Sequence, residues 1–167
     1  KEIFEQPASI KQTLRGRIDL RESRVVLGGV GQYARELVRA KRIILTAQGT
    51  ALHASMIGRY LFEDLAKIPA EAEYASEFRY RNPIIEERTV VVAVSQSGET
   101  ADTLAALREA KDRAALALGV VNVVGSTIAR DTDAGVYLRV GPEIGVASTK
   151  AFTGQVAVLT LLSIFLG

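Results

Sequence analysis

Hydrophobic positions along this chain recur with two alternating periods. Predominantly apolar or β-branched runs stand at Arg42-Ile43-Ile44-Leu45-Thr46, Thr89–Ser95, Leu116–Asn122 and Gly135–Val140, with a weaker one at Ala70–Ala75. Between them the spacing turns helical. Residues 51–66 place Leu52, Met56, Tyr60 and Leu61 on one face, and Thr100–Arg113 turns Leu104 and Leu107 inward. Short helical turns are predicted at Ser76–Tyr80 and Ser126–Arg130, with a break at Asn82-Pro83. Val156–Leu166 is the most apolar stretch and predicts a buried final helix, which Ser148 is placed to cap.

Thr89–Ser95 is apolar throughout, the pattern of a parallel strand covered on both faces. Strands alternating with helices imply right-handed crossovers. The expected fold class is α/β: a three-layer αβα sandwich around a five-stranded parallel sheet. Residues 41–167 carry this pattern, and residues 1–40 are expected to form a helical leader. In the leader, 2–15 predicts a helix with Pro7 early and Ile3, Ile10 and Leu14 as anchors. Arg15–Leu27 is ambiguous, and 31–40 is helical with Tyr33, Leu37 and Val38 apolar.

Composition changes this picture little. The chain has 167 residues, 48% hydrophobic and 24% charged, as for an ordinary globular domain. Net charge is only +2, but residues 1–42 hold ten Lys and Arg against five Asp and Glu, and the remainder eleven against fourteen. The basic leader has no tight cationic block and few aromatics, so a solvated face or a contact with another domain is expected and nucleic acid is not. There is no cysteine and one histidine, which excludes disulfides and thiolate metal sites and leaves little for zinc. No metal or cofactor is expected. No signal-type leader is visible, and Val156–Leu166 falls short of the roughly 20 residues of a membrane span, so a cytoplasmic, membrane-free location is expected. The chain starts without methionine and stops after an apolar helix, which suggests one domain of a longer protein.

Candidate chemistry lies where strands end. Gln48-Gly49-Thr50, Ser95-Gln96-Ser97-Gly98-Glu99-Thr100 and Val146-Ala147-Ser148-Thr149 each bring small or hydroxyl residues immediately before a helix. Parallel topology puts all three at one sheet edge, where such folds bind ligands. Glycine admits backbone N–H groups, hydroxyls donate, and the helix dipole favours an anion. The middle loop has no Lys or Arg, so a phosphate there would be held by neutral donors, with Gln96 reaching a sugar hydroxyl. Glu99 should point away from that anion, or toward a sugar hydroxyl. Any one such loop is more often a helix cap and a turn; three together favour a polyhydroxylated anionic ligand.

Other signals are weaker. Gly29-Val30-Gly31-Gln32-Tyr33-Ala34 resembles a dinucleotide fingerprint, but residues 37–62 contain no Asp or Glu and the better strand follows the glycines. His53 has no acid partner at helical spacing, and Lys150 suits a surface role at least as well as an anion contact. Asp131 and Asp133 suggest caps. No catalytic acid–base pair is expected.

Three longer runs add to this: Glu77-Phe78-Arg79-Tyr80-Arg81, Ser95–Thr103 and Gly145–Thr153. With them, most of the chain resembles the first sugar isomerase (SIS) domain of the glutamine–fructose-6-phosphate aminotransferases. The resemblance implies a flavodoxin-like SIS fold and a hexose 6-phosphate ligand, fructose 6-phosphate or glucosamine 6-phosphate. It implies Ser95, Ser97 and Thr100 as phosphate ligands beside Gln96, and Thr50, Val146 and Ser148 lining the sugar. It further implies a homodimer, and catalysis that depends on a glutaminase domain and a second SIS domain outside this chain. The fragment alone is then expected to bind sugar phosphate without turnover. The family usually reads Cys-Gly-Thr-Ser where this chain has Gln48-Gly49-Thr50-Ala51, so one hydroxyl contact is missing. The other readings are a non-catalytic sugar-phosphate sensor in a regulator and, less favoured, a stand-alone phosphosugar isomerase.

Overall fold

A computed structural model describes residues 1–113 and 115–167. Five parallel strands form the sheet: β3 (Arg42–Ala47), β4 (Ala70–Tyr74), β5 (Thr89–Ser95), β6 (Leu116–Val121) and β7 (Ala134–Tyr137), in the order β4-β3-β5-β6-β7. Before them, β1 (Ile18–Asp19) and β2 (Arg24–Val25) make a small antiparallel hairpin in the segment that the sequence leaves ambiguous. The helices are α1 (Glu2–Leu14), α2 (Ala34–Val38), α3 (Gly49–Leu61), α4 (Ala75–Tyr80), α5 (Ala101–Asp112), α6 (Thr127–Asp131) and α7 (Lys150–Leu166). A π-helical turn over Phe62–Ala66 extends α3.

Strand side chains alternate between the two faces, as the pleat requires. Ile43, Leu45 and Ala47 of β3, Val90, Val92 and Val94 of β5, and Leu118 and Val120 of β6 join the larger core, with α3 and α7. Ile44, Val91, Ala93 and Ala117 face the other side, against α4, α5 and α6. Helices thus cover both faces, which is why the strands are apolar at successive positions. The expected three-layer sandwich is what forms. Among the described residues, no helix is long and apolar enough to cross a membrane.

Three helix faces differ from expectation. In α1, Ile3 is exposed, while Ser9 and Thr13 are the buried positions. The Thr13 hydroxyl bridges Ser9 O at 3.0 Å and Leu138 O at 2.7 Å, so this helix docks through satisfied polar groups. In α3, Met56 and Tyr60 are exposed; the buried stripe is Ala51, Leu52, Ala54, Ser55 and Gly58. Small residues are needed there because α7 crosses closely: a Cβ on Gly58 would lie 2.8 Å from Leu159 Cδ1. In the leader, Leu37 is buried but Val38 is exposed.

The leader's Leu27, Val30 and Leu37 belong to the larger core. It also covers the edge strand β7. Gly29 approaches so closely that a Cβ would sit 2.2 Å from Gly135 O, which gives the glycine a packing role rather than a nucleotide one. Arg17, 6% exposed, donates to Tyr137 O at 2.5 Å. Burial pushes its guanidinium down to about 10, and the like charge of Arg139 adds to the shift.

Candidate functional site

The sheet order decides where a ligand can sit. The crossover from β3 to β4 runs one way and that from β4 to β5 returns past β3, so the carboxyl ends of β3 and β5 flank the topological switch point. Ala47 of β3 pairs with Val94 of β5. The chain therefore leaves the sheet at matching heights into Gln48-Gly49-Thr50 and into Gln96–Thr100. Gln48 is the N-cap residue of α3, and Gly49 and Thr50 already belong to that helix rather than to a turn. The Gln48 amide donates to Asp102 Oδ2 at 3.3 Å, tying the start of α3 to the first turn of α5.

The middle loop is built by its own hydroxyls. Ser95, 2% exposed, accepts from Gly98 N at 3.0 Å and lies 2.9 Å from Thr100 Oγ1. When Ser95 donates to Thr100, the half-buried Thr100 keeps its own proton for a ligand. Ser97 Oγ accepts from Glu99 N at 3.2 Å, so its proton also stays free. Gly98 holds φ +69° with Ser126 pressed against it. Gly98 O accepts from Ile128 N at 2.9 Å, and Gln96 O from Asn122 N at 3.1 Å, which anchors the loop to β6 and α6. Glu99 does point away from the loop, accepting from Thr127 N at 2.7 Å; that hydrogen bonding holds its carboxyl below the usual range.

Helix termini separate the three loops. No side chain among the described residues accepts the first-turn N–H groups of α3 or α5 at the switch point, although the Asp102 carboxylate lies in the first turn of α5. In α7 the same positions are occupied. Glu143 accepts from Thr149 N and Lys150 N at 2.8 Å and from Ala151 N at 3.2 Å, and Ser148 Oγ accepts from Phe152 N at 2.9 Å. Ser148 thus bonds the first turn as expected, although Thr149 is the N-cap residue. The third loop already has its anion, a carboxylate of its own chain. Val146 is fully exposed and Ser148 half-buried on that loop.

The remaining signals resolve individually. Lys150 is not a surface residue: it is 5% exposed, with Nζ 2.6 Å from Glu5 Oε2. The ammonium holds the Glu5 carboxyl below its ordinary range. His53 is exposed on α3. Asp131 accepts from Arg108, and Asp133 from Ala117 N with Lys111 beside it; both are ion-pair partners rather than caps. Asp102, Glu143 and Glu2 were missed, because their partners lie far off in sequence or on a neighbouring helix end. A cavity of about 1180 Å³ lies along α1 and Arg139–Gly141, has mostly apolar walls and touches none of the three loops. The polar chemistry sits on an open rim instead.

A parallel sheet in this order, with hydroxyl-rich loops at its switch point, defines a doubly wound α/β domain, and the SIS domain family profile matches residues 36–164. The chain belongs to the SIS domain family. It is 58% identical over 166 residues to the glutamine–fructose-6-phosphate aminotransferase (isomerizing) of Chlorobaculum tepidum, covering 99% of this chain and 27% of that protein. It is 48% identical to the human aminotransferase 2, covering 99% of this chain and 24% of that one. The solved C-terminal domain of the Francisella tularensis glucosamine-fructose-6-phosphate aminotransferase superposes with a TM-score of 0.90 at 36% identity, over 97% of this chain and 45% of that structure. The chain therefore spans about a quarter of the length of the curated relatives it matches.

Proposed function

We propose that this chain is the sugar-phosphate-binding domain of a glutamine-dependent aminotransferase that converts fructose 6-phosphate into glucosamine 6-phosphate. The observation that carries it is the pair of helix N-termini, α3 and α5, whose first-turn amides take no side-chain acceptor among the described residues and which meet beside the Ser97 hydroxyl with its proton free. The phosphate lies against Ser97, Thr100 and the first-turn amides of α5. Ser95 acts through Thr100, which it orients from behind. Thr50 faces the ligand from the first turn of α3 and Gln96 from the loop after β5, and Val146 and Ser148 meet the sugar. Ala51, which stands where the family has a hydroxyl, is buried in the core and contributes packing.

Neutral donors suit a substrate that must leave again. Two helix dipoles supply positive potential without a lysine that would have to be neutralised on release. Ammonia release needs a nucleophile, and this chain has no cysteine; that step and the isomerisation belong to the glutaminase and second SIS domains of the full-length protein. A homodimer and a cytoplasmic location belong to the same reading and rest on the relatives' identity.

The test is titration with fructose 6-phosphate, glucosamine 6-phosphate and inorganic phosphate, followed through the amides of Ser95–Thr100. Ser97→Ala and Thr100→Val should each weaken binding roughly two- to twelvefold, the worth of one neutral hydrogen bond at about 0.5–1.5 kcal/mol. Amides unmoved at saturating ligand would sink the reading. Glucosamine 6-phosphate formation by the chain alone would contradict the division of labour.

A further inference from the structure

Two carboxylates bracket the loop between β7 and α7. Glu2, in the first turn of α1, accepts from Ile144 N at 2.7 Å and from Gly145 N at 3.3 Å. Glu143 accepts from the next amides along, Thr149, Lys150 and Ala151. Only Val146, Ala147 and Ser148 are left between the two clamps, and two of these, Val146 and Ser148, are the residues placed above against the sugar. We infer that Glu2 and Glu143 are positioning residues for that tripeptide, so that α1 forms part of the binding rim; the inference rests on the sugar-phosphate reading.

Glu143 alone would be an ordinary helix cap. Glu2 is different, because both its N–H partners lie in the loop, outside any helix. Gly145 is matched to it: a Cβ there would stand 2.9 Å from Glu2 Oε2. Glu5 lies on the same face of α1, three residues on. It fastens the buried Lys150, whose amide Glu143 also holds. Residue 150 is thus held at both its side chain and its backbone. A shift of α1 must carry Ile144 and Gly145 with it, and Val146 follows directly. The rim is coupled to a helix 142 residues away in sequence.

The two arms of the ligand make this testable in the chain as it stands. Inorganic phosphate meets only the Ser95–Thr100 loop and the α5 terminus, whereas fructose 6-phosphate also meets the bracketed tripeptide. Glu2→Ala should weaken fructose 6-phosphate roughly tenfold, the equivalent of one lost well-placed contact, and leave inorganic phosphate unchanged. Without ligand, it should speed amide hydrogen exchange at Ile144 and Gly145. The Glu2 contacts are solvent-exposed, and far-UV circular dichroism checks that the variant keeps its fold. Glu2→Gln, which retains one acceptor oxygen, should fall between wild type and Glu2→Ala. Glu143→Ala should repeat the selective loss. Equal loss for both ligands, or unchanged fructose 6-phosphate affinity in Glu2→Ala, overturns the positioning role while leaving the sugar-phosphate reading intact. Failure of the wild type to bind fructose 6-phosphate refutes that reading, and the positioning role with it.

Discussion

Gly98→Ala tests the middle loop most sharply, because two separable costs meet at one atom. Gly98 holds φ +69°, a conformation that costs an L-residue about 1–2 kcal/mol. The added Cβ would also stand 2.0 Å from Ser126 Oγ and 2.5 Å from Ser126 Cβ. Ser126 is buried at the start of α6, so it cannot swing into solvent, and overpacking of this kind costs about 1–3 kcal/mol. The sum, about 2–5 kcal/mol, is a large part of the roughly 5–15 kcal/mol that holds a domain together. Urea unfolding of wild type, Gly98→Ala and double variants measures it. Ser126→Ala should rescue little, since the Cβ at 2.5 Å remains. Ser126→Gly should recover the steric part and leave the backbone part of about 1–2 kcal/mol. A Gly98→Ala cost below about 1 kcal/mol, or equal rescue by both Ser126 variants, would refute the account.

Three further perturbations follow from the same contacts. Glu99 has a folded pKa held below its ordinary 4.5, so its contribution is present above that value and is lost as pH falls through the folded pKa; Glu99→Gln should flatten the acid limb of a Tm profile below pH 4.5. Arg139 sits at φ +61°, and its like charge adds to the burial that lowers the Arg17 pKa to about 10, so Arg139→Gly removes a left-handed strain and a like-charge repulsion against the loss of an exposed hydrogen bond to Arg15 O; calorimetry should show a Tm rise of about 2–4 °C per kcal/mol gained. Phe78→Ala empties a fully buried site on α4 against Ile44 and Val91 and should cost about 3–5 kcal/mol in chemical denaturation.

Much of this was legible in the chain itself. The strand at Thr89–Ser95 matches its predicted limits, and the other four lie within a few residues of theirs. A strand buried on both faces must be apolar at successive positions, which leaves a strong local trace. Helix faces were harder to read. Apolar periodicity put Ile3, Met56 and Tyr60 inward, yet α1 buries hydroxyls bonded to Leu138 O and Ser9 O, and α3 buries small residues under α7. A hydroxyl whose bond is satisfied at a distance, or a glycine chosen for a close crossing, carries no hydrophobic signal.

By itself the sequence determined an α/β sheet, three polar loops at its carboxyl edge and the SIS resemblance, since each is written in short contiguous runs. Only the tertiary structure distinguished the loops. The first-turn amides of α3 and α5 take no side-chain acceptor among the described residues, while Glu143 fills the end of α7 and Glu2 holds the loop before it. Lys150 became a buried partner of Glu5 for the same reason. Which carboxylate satisfies which backbone N–H depends on distance through space, and a carboxylate 142 residues from its partner has no sequence spacing that reveals it.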